Sequence, residues 1–315
     1  MIETKTLLIV GAGASVPYGY PTGKELRDEL CDPDQLADLA RSYFRVDERG
    51  LTLFCEQFLA SQLLSIDAFL AKRGDDHIGI QSSYLCQTFG TFADCGKFAI
   101  ANRLIKRESL INLLEPEEDH WLQYLWNHMN DVVKTEFQNN QLKIISFNYD
   151  RVIEQYFQTA ILNSYGIAHK EAAELQKSID IVHVYGDLQD LEERPYGVKP
   201  KDIEKVAACI RVIPESREAH DNQFNRAKEM ITWAEKICFI GFGFDSTNIS
   251  RLGFPDHNLS SKKVYSTLYG VTLPEIFVAQ KRLGGDFYGS EIDWLNHSIH
   301  KTLDYIRNTG ALLSL

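Results

Sequence analysis

The sequence predicts an α/β protein built on a Rossmann-like, mostly parallel sheet with helices on both faces. Three observations predict it. Short runs such as KTLLIV (5–10), LKIISF (142–147) and KICFIGF (236–242) are apolar on both alternating faces, as strands covered on two sides require. Stretches with apolar residues three and four apart fall between them, giving the strand–helix alternation of a parallel sheet. Each strong run also ends in glycine or small polar residues, where open α/β sheets bind ligands.

Taken in order, 5–10 is the first strand and 22–30, TGKELRDEL, is a helix opened by Thr22. From about 33 to 137 the pattern is helical, in DQLADLARSYF, LFCEQFLASQLLSIDAFLAK and DHWLQYLWNHMNDVVKTEF. This block reads as an insertion within a single domain spanning 1–315, placed to cover a pocket or bind a partner. Strands resume at 142–147, at 179–185 (IDIVHVY) and at 236–242, with a weaker one at 263–269. Helices are expected at 150–163 and 219–235. The charged stretch 189–203, broken by Pro195, Gly197 and Pro200, reads as an exposed loop.

Bulk properties exclude several classes. Acids outnumber bases 44 to 33 for a net charge of -11, so no surplus of Lys and Arg exists to neutralise a nucleic-acid backbone. Direct nucleic-acid binding is therefore not expected. No run approaches the roughly 20 apolar residues that cross a bilayer. MIETKTLLIVGAGAS lacks a basic leader, and the expectation is a cytoplasmic chain with no membrane association. The six cysteines, Cys31, Cys55, Cys86, Cys95, Cys209 and Cys238, form no C-x-x-C pair. Disulfides are not expected in such a compartment, and a four-cysteine zinc site has no ligand spacing.

The first strand runs into GAGAS, residues 11–15. Backbone N–H groups in such a turn suit a pyrophosphate. The dehydrogenase fingerprint G-x-G-x-x-G is incomplete, with Val16 at the third glycine position, and the acid expected about 20 residues on is missing. Gly19, Gly23 and Lys24 miss the Walker pattern, because Glu25 stands where Ser or Thr belongs. The bland alternative is a tight strand-to-helix turn.

Other strand ends carry polar residues. SFNYD presents Asn148 and Asp150, HVYGD presents His183, Tyr185 and Asp187, and GFGFDSTN presents Gly241, Gly243, Asp245, Ser246 and Asn248. Individually these are helix caps, a core histidine and a tight turn. Their joint occurrence at one sheet edge is less easily explained by packing.

Together GAGAS…GYPTG, SFNYD, HVYGDL and FIGFGFDSTNI resemble the ordered motifs of the bacterial sirtuin-like family of anti-phage defence. The resemblance runs from Gly11 to Asn248, and 33–137 contributes no motif. It implies a sheet that binds NAD as a substrate to be cut at the nicotinamide–ribose bond. Gly11, Ala12, Gly13, Ala14 and Ser15 would surround the pyrophosphate, with Thr22, Gly186 and Gly243 also in the cofactor site. Asn148 would orient a water or ribose hydroxyl, and Asp150 would hold the ribose or carboxamide region. Gly241 and Phe242, with Asn248 beyond, would line the adenosine side.

The family's catalytic histidine directly precedes its glycine; here Tyr185 precedes Gly186, and His183 lies two positions earlier on the same strand face. His183 or Tyr185 substitutes, or Asn148 suffices; a tyrosine with pKa near 10 is a poor base at pH 7, which favours His183. The absence of the two cysteine pairs of sirtuin deacylases implies no zinc and disfavours deacylation and ADP-ribosyl transfer. The expectation is an NAD hydrolase that depletes NAD, held inactive or triggered by a separate sensor or regulator protein, with homo-oligomerisation also open. The rival is a nucleotide-binding module that has lost catalysis.

Two further features have bland readings. Asp293, His297, His300 and Asp304 share a helix face at metal-ligand spacing, read here as a polar face, and no metal site is assigned. Trp121, Tyr124 and Trp126 read as core or as an oligomer contact.

Overall fold

The computed structural model describes residues 1–32, 48–63, 65–82, 85–130, 133–212, 222–254, 257, 259, 261–283 and 301–312. DQLADLARSYF, Asp293, His297 and His300 lie outside the described residues. The chain divides into two compact units: Met1–Gly19, Ile111–Val184 and Asn222–Leu315 form the first, and Tyr20–Leu110 with Tyr185–Asp221 the second.

Seven strands are described: β1 (Thr6–Val10), β2 (His77–Ser82), β3 (Leu85–Thr91), β4 (Leu142–Ser146), β5 (Asp180–His183), β6 (Lys236–Ile240) and β7 (Lys263–Ser266). The first unit holds a sheet of order β5-β4-β1-β6-β7. All four pairings are parallel. The fold is therefore α/β and Rossmann-like, with the order reversing on either side of β1. All five side chains of β1 and of β6 are buried, as a sheet covered on both faces demands. Helices Val152–Tyr165, Asn222–Trp233 and Ser246–Leu252 are among those flanking it.

Register keeps the carboxyl ends of the central strands level. Val10 pairs with both Ser146 and Ile240, and Ser146 with His183. The ladder then continues one residue further on both sides of β1, through Phe147 N–H to Val10 O (2.9 Å) and Gly11 N–H to Ile240 O (2.9 Å). Val184 N–H to Ser146 O (3.0 Å) and Thr267 N–H to Phe239 O (2.9 Å) extend it outward. The segments after β1, β4, β5 and β6 thus leave from one edge.

The second unit departs from the continuous helical block read in the sequence. It contains helices Gly23–Leu30, Glu48–Ala60, Ile66–Arg73 and Phe92–Ile105, and an antiparallel β2–β3 hairpin. Glycines at 79 and 90 and threonines at 88 and 91 make that hairpin segment a poor helix former. Helix Trp121–Met129, by contrast, belongs to the first unit, and 185–221 joins the second. Phe54, Phe58, Phe69 and Phe92 form the second unit's aromatic core, with ring centroids 4.9–6.1 Å apart. The 189–203 stretch is irregular but not wholly exposed. Arg194 is buried in it and clamps Glu108 with two bonds of 2.7 Å.

At the reversal point two turns of the first unit meet backbone to backbone. A Cβ on Gly11 would lie 2.5 Å from Gly241 O, and one on Gly13 would lie 2.9 Å from Gly241 Cα. Gly241 has φ +58°, and a Cβ there would fall 2.1 Å from Ala14 N. Gly241→Ala should therefore cost more than about 3 kcal/mol, combining left-handed strain with overlap against backbone that cannot move aside. Gly243→Ala, with open space around the added methyl, should stay within about 0.5 kcal/mol. Urea unfolding of both variants checks this; equal costs would refute the packing explanation.

Candidate functional site

After β1 the chain makes two short 3₁₀ turns, Ala12–Ala14 and Val16–Tyr18, rather than entering an α-helix directly. Their amides are largely committed. Gly13 N–H donates to Gly241 O (3.1 Å), Ala14 N–H to Gly11 O (3.0 Å) and Ser15 N–H to Ala12 O (3.1 Å). Trp121 braces the turn from its own helix, its Nε1–H donating to Ala14 O (2.8 Å). An anion here would have to be met by other groups, or by a rearranged turn.

The strand-end motifs of β1 and β4 converge on this turn. Asn148 Nδ2 donates to Gly11 O (3.0 Å) and to Ser15 Oγ (3.0 Å). A carbonyl oxygen can only accept, so the amide orientation is fixed. Both Nδ2 hydrogens are spent, which leaves Oδ1 as the acceptor Asn148 can offer. Ser15, 4% exposed, hydrogen-bonds in turn to the Asp150 carboxylate, which also accepts from Val152 N–H (3.2 Å). Asn148, Ser15 and Asp150 thus form one polar chain.

Burial raises the Asp150 carboxyl and outweighs the bonds from Ser15 and Val152 and the nearby His183 charge, leaving it at about 6. Asp150 is 7% exposed, so at neutral pH it is a carboxylate held in apolar surroundings.

His183 ends β5 and serves Asn148 from below. Its Nδ1 lies 2.8 Å from Asn148 O, and its Nε2 lies 2.7 Å from Glu154 Oε1. Neither a carbonyl nor a carboxylate can donate, so both nitrogens must, and the ring is an imidazolium. Burial raises the Glu154 carboxyl, but the His183 charge and hydrogen bond outweigh it and the net shift is downward. His183 therefore holds the Asn148 peptide, with both nitrogens engaged.

The remaining expected residues divide by location. Phe242 is buried among Phe147 (4.9 Å between centroids), Phe244 (5.3 Å) and Phe239 (5.5 Å). Gly243 is exposed, and Asn248 sits half-buried in the first turn of a helix capped by Asp245, whose carboxylate accepts from Thr247 N–H (2.8 Å) and Asn248 N–H (3.3 Å). Thr22, Tyr185 and Gly186 belong to the second unit. Thr22 forms a capping box with Glu25. Tyr185 is buried and its carbonyl accepts from Arg211 N–H (2.8 Å). Gly186 is required by packing, since its Cβ would meet Cys209 O at 2.0 Å with φ +72°.

Comparison with known proteins adds no family. A scan of protein-family models gives no match, and a search of curated proteins gives none.

Three residues of the set escaped the sequence reading. Glu154 lies one helical turn after Asp150, a signal visible at i+4 spacing. Ser146 Oγ accepts from Asn148 N–H (3.1 Å) and follows from its place at the end of β4. Trp121 reaches Ala14 from a distant helix, and no local pattern announces it. Among the described residues, no group of three or more His, Cys, Asp or Glu is placed to hold a metal ion.

The raised Asp150 pKa sets a sign for stability. Its folded value lies above the unfolded one, so ionising it opposes folding; that cost is full above about pH 6 and absent below about pH 4. Asp150→Asn should be more stable than the parent by about 2–3 kcal/mol at pH 7, at 1.36 kcal/mol per pKa unit. The gain should shrink as pH falls from 6 to 4. Urea unfolding across that range checks it; a gain independent of pH would show that the carboxyl is not buried as described.

Proposed function

We propose that the first unit is an NAD hydrolase, releasing nicotinamide and ADP-ribose, and that it serves anti-phage defence by depleting NAD. One observation carries the reading. Asn148 and Asp150, 133 or more residues from Ser15 in sequence, join it in one polar chain at the carboxyl edge of the sheet, beside the strand-order reversal. This is the meeting of motifs that the resemblance to sirtuin-like proteins requires.

The nicotinamide–ribose bond breaks through an oxocarbenium-like state, and its leaving group is already cationic, so no strong acid is needed. Asn148 Oδ1 would accept a hydrogen bond from the attacking water or a ribose hydroxyl, which fixes its position. Asp150, ionised at pH 7, would stabilise developing positive charge through Ser15 and Asn148. No zinc enters this reaction. A cytoplasmic enzyme of this kind needs restraint, so the reading includes a separate regulator protein, and self-association is a further part of it.

A second reading has its own support. His183 has both nitrogens engaged, so it offers no free base, and Tyr185 replaces the family histidine. That arrangement favours a nucleotide-binding module without turnover. Incubating the full chain with NAD, alone and with proteins encoded beside it, separates the two by nicotinamide release. Asn148→Ala should lower release by about 100-fold or more. Binding of ADP-ribose by calorimetry without release under any condition would favour the module. Consumption of acyl-peptide together with NAD would instead favour a deacylase.

The hydrolase reading also fixes a pH profile. Because Asp150 must be ionised, the rate should fall as pH drops through about 6. The Asp150→Asn variant should be slow throughout and lack that limb. A parent rate rising below pH 6 would contradict the assigned role.

A further inference from the structure

Two cysteines of the second unit face one another. Cys31 closes helix Gly23–Leu30, and Cys55 lies within helix Glu48–Ala60. Each sulfur sits over the other's local backbone: Cys55 Sγ is 3.0 Å from Leu30 O, and Cys31 Sγ is 3.9 Å from Cys55 O. The single Cys55 S–H hydrogen, given to Leu30 O in the resting pair, can turn to the Cys31 sulfur once that thiol ionises. Cys31 is part-exposed and Cys55 is buried, so one sulfur is open to a reagent and the other waits behind it.

We propose that Cys31 and Cys55 form a peroxide-responsive thiol–disulfide site, with Cys31 the attacking sulfur and Cys55 the resolving one. Spacing gave no hint of this pair, which 23 intervening residues separate.

The environment assigns the order of attack. The hydrogen bond from Cys55 is the main cause that lowers the Cys31 thiol, with the Arg27 charge assisting against burial. The same bond and burial push Cys55 upward. Burial, with the Asp94 charge adding to it, pushes Cys95 up to about 12, and burial pushes Cys238 up to about 12 against the Lys236 charge. Thiolate character is therefore concentrated on the accessible sulfur.

The steps balance with hydrogen peroxide as the oxidant. The Cys31 thiolate attacks one peroxide oxygen; an S–O bond forms, the O–O bond breaks, and hydroxide leaves to become water. Sulfur is oxidised to the sulfenic acid and peroxide is reduced. The Cys55 sulfur then attacks Cys31 sulfur; the S–S bond forms, the S–O bond breaks, and a second water leaves carrying the Cys55 proton. The product ties the end of one helix to the middle of another.

The test treats the full chain with hydrogen peroxide, blocks remaining thiols with iodoacetamide and maps peptides by mass spectrometry. The expected result is a Cys31–Cys55 cross-linked peptide, lost on reduction, with Cys95 and Cys238 alkylated only after unfolding. Before oxidation, Cys31 should alkylate at least about tenfold faster than Cys95. Cys55→Ser should stop at a Cys31 sulfenic acid that dimedone traps, and Cys31→Ser should abolish both products. The alkylation-rate and cross-link measurements need no variant, so misfolding of either serine form leaves the test intact. A Cys31–Cys95 link, a bond between two chains, or unreacted Cys31 after peroxide would overturn the assignment.

Discussion

The first unit depends on a contact between two stretches of backbone that only glycine permits. Gly11 and Gly13 leave β1 directly against Gly241, which leaves β6, and no atom beyond Cα fits between them. The contact sits where strand order reverses, so it brings together the two turns that border the carboxyl edge of the sheet, the edge where open α/β sheets in general take ligands. It also turns Gly11 O toward β4, where Asn148 takes it as an acceptor. Glycines that a sequence reader assigns to a pyrophosphate thus have a prior duty within the protein. That duty is independent of any ligand, and it goes with a non-glycine at the third fingerprint position: Val16 opens a 3₁₀ turn and is exposed.

Above that contact lies a polar cluster that folding alone would not select. Asp150 and Glu154 are buried carboxyls, and His183 lies between Glu154 and the Asn148 carbonyl. Burying charge costs more than packed apolar side chains would, unless every partner is satisfied. Here Glu154 Oε2 is buried without a partner among the described residues. What the cluster secures is the position of a single residue. Asn148 is held through its side chain by Gly11 and Ser15, through its N–H by Ser146, and through its carbonyl by His183. Such over-determination of one amide, at a cost to stability, is what the proposed site would require.

Much of this was legible in the sequence because it depends on local chemistry. The largely apolar runs at β1 and β6, too short for helices and ending in glycine, read as strands covered on both faces, and the polar residues at their ends are local in sequence. Thr22 announced its own helix through the Glu25 three residues on. What stayed hidden depends on tertiary partners. The β2–β3 hairpin lies among helices, and its glycines and threonines were outweighed by apolar periodicity on either side. The second unit joins Tyr20–Leu110 to Tyr185–Asp221 across β4 and β5 of the sheet, which no linker composition marks. His183 was recognised as a site residue, yet its partner Glu154 decides its protonation, and that pairing needs the fold.

If a dinucleotide binds as proposed, the local charges favour one of its ends beside Asn148. At neutral pH the cluster carries the Asp150 and Glu154 carboxylates, with the His183 ring and the buried Arg151 guanidinium set against Glu154, which leaves Asp150 as the carboxylate beside Asn148 and Ser15. Gly13, Ala14 and Ser15 have spent their amides internally, so the turn is not a ready anion cradle. A pyrophosphate gains little at this spot, whereas the Asp150 carboxylate would favour a ribose becoming cationic as nicotinamide departs. Under the proposed reading, the Asn148 side of the edge therefore belongs to the nicotinamide ribose. The phosphates must then be met farther along the edge, by groups beyond the 3₁₀ turns. On that reading the glycine turn would serve catalysis indirectly, by fixing the oxygen to which Asn148 is anchored.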